Sequence, residues 1–139
     1  MAEYGEGNTS YNAVGEKQGL QTLVDEFYYI MDTSPDYKVI RDMHPRDLTV
    51  TIDKLFVFLT GWMGGEATYA EKFGPMSIPS AHCHLAIDET ERDMWLNCMA
   101  EALVKLEYPD DFIEYLMTQL SMPAERIRQV SVMMRQKNQ

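Results

Sequence analysis

Basic residues are scarce in this chain: its 139 residues include 12 Lys and Arg against 22 Asp and Glu, a formal net charge of −10. Nucleic acids and anionic membrane faces are bound by neutralising phosphates, so neither is an expected partner. Long apolar runs are missing as well. The longest, Leu55 to Met63, is interrupted by Thr60 and Gly61 and falls far short of the ~20 residues that span a bilayer. No stretch alternates apolar and polar residues, which argues against half-buried strands. Only two cysteines occur, Cys83 and Cys98, without CxxC spacing, so neither a disulfide framework nor a cysteine zinc site is expected. The first residues, MAEYGEGNTSYNAVGE, have no basic start or apolar core of a secretory signal, and the expected location is cytoplasmic with both thiols reduced.

What is abundant is methionine, with 11 residues, and aromatics, with 8 Tyr, 5 Phe and 2 Trp. Such a composition suits an adaptable helical core or a cavity shaped around a large flat ligand. Helical periodicity is plain from Glu16 to Met31, where Leu20, Leu23, Val24, Phe27, Tyr28, Ile30 and Met31 share one face. Ser34-Pro35 ends that helix, and a brief helical turn precedes the break at His44-Pro45. Asp47 or Thr49 can cap the next helix, whose Ile52, Leu55, Phe56, Phe58, Leu59 and Trp62 form an apolar arc before Gly64-Gly65 stops it. A long glycine- and proline-rich connection follows, of the kind that usually wraps something or carries function. Asp88 and Glu91 have capping-box spacing, and the helix they open should bury Trp95, Cys98, Met99, Ala102, Leu103 and Leu106. Pro109 suits the first turn of a last helix, which Met122-Pro123 should kink or split. Residues 1 to 14 lack a period and read as an extended arm that packs through Tyr4 and Tyr11. The fold class is all-α, in one domain.

Few residues are placed for chemistry. The acidic pairs Asp110-Asp111 and Glu89-Glu91 lie at helix starts, where capping and the macrodipole account for them. There is no triad signature and no strand-borne glycine loop for phosphate. Three histidines remain, His44, His82 and His84. Extended, the His82-Cys83-His84 segment could chelate a metal through both rings; in a helix the two side chains diverge by about 200° and only one can face a cavity.

The ordered set Phe27-Tyr28, His44-Pro45, Phe58-Leu59-Thr60, Gly64-Gly65, Tyr69, His82 and Glu91-Arg92-Asp93-Met94-Trp95-Leu96-Asn97-Cys98-Met99 resembles the group II truncated haemoglobins. The match spans roughly residues 12 to 120 and is strongest in the last segment. The resemblance implies a two-over-two helical sandwich around haem b (iron protoporphyrin IX), with residues 1–14 as an N-terminal arm and 15–139 as the truncated globin domain. It makes His82 the proximal iron ligand, with His84 where the family usually has proline. Lys54, Leu55, Tyr69 and Trp95 are then expected against the haem, and Tyr28, His44, Thr51, Leu55 and Trp95 on the distal side. His44 stands in place of the common phenylalanine or tyrosine, and Leu55 in place of a frequent glutamine. The roles implied for His44 are a third donor, a water site, an iron ligand or packing against the haem edge. Lys54 would pair with a propionate or be solvated.

Dioxygen bound in such a pocket would carry partial negative charge, and the Tyr28 hydroxyl and Trp95 indole are donors. A charge-assisted hydrogen bond of about 1.5–3 kcal/mol would slow its release roughly ten- to hundredfold. The function implied is a globin binding dioxygen, carbon monoxide or nitric oxide, with redox chemistry on nitric oxide or peroxide supported by an unidentified reductase. Oxygen transport belongs to the same family picture. The alternative from the residues alone is a haem-free helical module that binds a protein partner.

Overall fold

In the computed structural model, residues 9–65 and 87–137 are described, and all regular structure among them is helical. The central element is α2, Glu16–Thr33, which buries Leu20, Leu23, Val24, Phe27, Tyr28 and Met31. These positions recur every three or four residues, so they form one continuous stripe. The stripe packs against α4 (Thr49–Trp62) and α5 (Glu89–Lys105), and α5 packs in turn along α6 (Asp110–Lys137). The two helix pairs, α2 with α4 and α5 with α6, are the two layers of a two-over-two sandwich.

Local chemistry fixes the helix ends. Asp47 Oδ1 accepts hydrogen bonds from the Thr49 amide at 2.9 Å and the Thr49 hydroxyl at 2.7 Å, closing the turn that launches α4. At the other end Gly64 adopts φ 98°, and the Gly64 and Gly65 amides donate to the Gly61 and Thr60 carbonyls at 3.2 and 2.8 Å. This is the paired-bond ending that a left-handed glycine permits. Asp88 and Glu91 form the expected capping box at the start of α5, with the Asp88 amide donating to Glu91 Oε1 at 2.9 Å. The buried stripe of α5 is Cys98, Met99, Ala102 and Leu103, with Trp95 and Leu106 half-buried against the same core.

Three expectations need revision. The arm is not extended over its described part, because Thr9–Val14 forms a short helix, α1. Tertiary bonds hold it. The Tyr11 amide donates to the Met63 carbonyl at 3.0 Å, and the Tyr108 hydroxyl donates to the Val14 carbonyl at 2.5 Å. Tyr11 packs on the core as expected, whereas Tyr4 lies outside the described residues. Second, of the kink or split expected at Met122-Pro123, the split does not occur, since Pro123 sits inside one 28-residue helix. Proline there removes only one amide, and the first half of α6 is held by buried Phe112, Leu116 and Leu120. Third, Pro109 stands just before α6, its carbonyl accepting from the Ile113 amide at 3.0 Å.

Among the described side chains of the second half of α6, Ser131 is fully buried, and its hydroxyl accepts from the Ile87 amide at 2.9 Å. Arg92 of α5 donates to Glu125 of α6 at 2.7 Å, and Arg128 reaches the same carboxylate. The start of α5 is thereby tied to α6 by a buried hydrogen bond and an ion-pair network. None of the helices of the described residues is long and apolar enough to cross a membrane.

Candidate functional site

The helix stripe of α2 delivers Phe27 and Tyr28 to the face shared with α5. Phe27 is a hub: its ring meets Tyr28 edge-on at 4.9 Å between centroids and Trp95 at 5.1 Å. Tyr28 in turn meets the His44 ring edge-on at 5.8 Å. Residues from α2, the loop after α3 (Lys38–Asp42) and α5 thus converge on one aromatic cluster. Edge-to-face rings fix one another's orientation and add packing energy beyond area burial.

The polar tips of Tyr28, Cys98 and His44 are each set by their surroundings. Burial, with a smaller contribution from Cys98, raises the Tyr28 phenol well above its ordinary range, so it stays protonated and can donate. The Cys98 thiol is pushed up to about 12 by burial and then by Glu101, and it donates to the Phe27 carbonyl at 3.3 Å. That cysteine is a packing residue rather than a nucleophile. The His44 ring places Nδ1 2.7 Å from the Ile40 carbonyl. A carbonyl cannot donate, so the proton lies on Nδ1 and the neutral ring offers Nε2 as an acceptor or ligand. Donation from Nε2 requires the imidazolium.

On α4, Leu55 and Ile52 are half-buried apolar residues against the core, Thr51 is half-buried and Lys54 is exposed. That helix fully buries only Val57 and Leu59, leaving Phe56 and Phe58 partly accessible. Apolar walls with a buried phenol and an indole suit a flat hydrophobic group with a small polar ligand on it. His82, His84 and Tyr69 lie outside the described residues. Among the described residues, no His, Cys, Asp and Glu cluster could hold a metal ion.

The family model for bacterial-like globins matches residues 9–129. The chain belongs to the bacterial-like globins. It is 32% identical over 120 residues to the group 2 truncated haemoglobin YjbI of Bacillus subtilis, covering 86% of this chain and 88% of that protein. The group II 2-on-2 haemoglobin of Agrobacterium tumefaciens superposes with a TM-score of 0.80 at 30% identity, over 86% of this chain and 92% of its own. The truncated oxygen-avid haemoglobin of Bacillus subtilis does so at 0.77 and 30% identity, over 85% and 97%. This globin is accordingly a haem-binding protein by family, and its two helical layers are the truncated-globin layers.

Two contributors were not visible in the sequence as site residues. Phe27 reads there as an apolar stripe position and a member of the resemblance set without a site role, and its place as hub appears only when α5 brings Trp95 against it. Ile40 acts through its carbonyl, which no side-chain pattern reports.

Proposed function

We propose that this globin binds haem b through His82 and holds dioxygen, carbon monoxide or nitric oxide on the opposite face, where Tyr28, His44, Thr51, Leu55 and Trp95 form the distal wall. The observation that carries this reading is one continuous aromatic cluster, in which Phe27 joins Trp95 to Tyr28 and Tyr28 in turn meets His44. When bound, the haem supplies the iron and its redox chemistry. The chain's own residues do the rest. The Tyr28 phenol, whose ionisation burial disfavours further, and an indole N–H are donors for a partly anionic ligand, and an apolar Leu55 excludes water from one wall. His44, as its Nδ1 tautomer, accepts from a hydroxyl or water in preference to donating to the ligand. Lys54 and Tyr69 are assigned to the haem periphery.

Tight retention of oxygen suits reaction with nitric oxide or peroxide better than oxygen delivery, and the relative described as oxygen-avid favours the same direction. Turnover of that kind needs a reductase to restore the ferrous state. The test is direct. Purified protein should be red, with a Soret band that moves on adding carbon monoxide to the reduced form. His82→Ala should abolish stable haem binding while His84→Ala leaves it largely intact. Colourless protein that takes up no added hemin would overturn the reading, and the reverse behaviour of the two variants would move the ligand to His84.

A further inference from the structure

We propose that Arg41 is the positioning residue that registers His44 against Tyr28, by clamping the loop that follows His44 to the end of α2. The inference rests on the distal reading of His44 given above. The Arg41 side chain is only 18% exposed, and its guanidinium makes three hydrogen bonds in three directions. Nε donates to Asp32 Oδ1 at 2.8 Å, Nη1 to the Pro45 carbonyl at 3.0 Å and Nη2 to the Arg46 carbonyl at 3.0 Å. The two carbonyls belong to the two residues after His44, and Asp32 lies one helical turn beyond Tyr28 on the same helix.

The clamp therefore refers the His44 loop to the element that carries Tyr28. His44 is fixed from the other side as well: its amide donates to the Arg41 carbonyl at 3.0 Å and its ring to the Ile40 carbonyl at 2.7 Å. With both chain directions from His44 tied down, its ring has one place to stand, 5.8 Å from the Tyr28 ring. Arg41, Asp32 and His44 also line a surface groove of about 550 Å³, so without the clamp the loop has open space into which to move. Only a planar fork with several fixed N–H directions can satisfy a carboxylate and two successive carbonyls together; an ammonium cannot span them. The clamp thus predicts that arginine is needed at this position, not merely positive charge.

The experiment is NMR of the His44 ring in selectively labelled protein, in the carbonmonoxy form and in the protein as purified. Wild type should show one set of ring signals with Nδ1 protonated and a cross-peak to the Tyr28 ring. Arg41→Gln, Arg41→Lys and Asp32→Ala should each lose that cross-peak and show more than one His44 environment. In the carbonmonoxy form they should also split the C–O stretch into more than one band. Lys38→Gln, which removes only the exposed pair with Asp42 on α3, should leave every signal in place. Asp32 is largely exposed, so Asp32→Ala, which removes the acceptor of the Arg41 Nε–H, keeps the test decisive where an Arg41 variant fails to fold. An unchanged ring spectrum in Asp32→Ala, or full retention in Arg41→Lys, would overturn the proposal. A wild-type protein without a Soret band would instead remove the haem reading, and the ring measurement would still decide the clamp.

Discussion

At the scale of single residues, position decides which polar tips can work. Trp95 is half-buried beside Phe27, so its indole N–H is held by an aromatic contact whatever it donates to. Trp95→Phe preserves that contact and removes the donor. We expect dioxygen release to accelerate roughly tenfold, the equivalent of about 1.4 kcal/mol, with stopped-flow dissociation as the measurement; an unchanged rate would reduce Trp95 to packing. His44 differs in kind, because its bond to Ile40 settles the tautomer before any ligand is present. The stripe that holds Tyr28 and the motif that holds Trp95 were both legible in the sequence, since helical spacing reports which side chains share a face. The Arg41 clamp was not. Its acceptors are two main-chain carbonyls and a carboxylate nine residues away, and loop carbonyls leave no mark in residue identity.

At the scale of elements, capping signals were the most dependable guide and short-range period the least. The capping box of α5 and the glycine ending of α4 lie where residue types required, because orphan amides and carbonyls at helix ends have few solutions. The α1 helix escaped notice because six residues carry too little period, and its stability comes from bonds to Met63 and Tyr108. The close of α5 shows a local choice that the fold overrides. Glu107 adopts φ 63°, while its amide and that of Tyr108 donate to the Val104 and Leu103 carbonyls at 3.0 and 3.2 Å. That is the conformation glycine takes at the end of α4, occupied here by a residue with a Cβ. Glu107→Gly should therefore raise stability by about 1 kcal/mol, read as a higher urea midpoint with an unchanged slope. A loss of stability would mean that the chain entropy of glycine outweighs relief of the left-handed strain.

At the scale of the whole molecule, the two layers are joined by apolar packing around α2, but the start of α5 is held to α6 by charge. Arg128 and then Arg92 hold the Glu125 carboxyl at about 2, against an ordinary value of 4.5. A lowered folded-state value means that the unfolded chain binds the extra proton between these limits, so stability rises with pH across that window. The contribution is complete above about pH 5 and disappears as the pH falls through about 2. Glu125→Gln removes the titration and leaves two cations facing each other. The variant should be less stable than wild type by a constant margin near neutrality, and the margin should narrow as acid is added. The side chains of the triad are 22–34% exposed, so salt should shrink the margin as well. Urea midpoints of both proteins over a pH series, at low and high salt, measure it. A gap that persists unchanged to the acid limit would assign the loss to side-chain packing and remove the ion network from the account of how α5 is held.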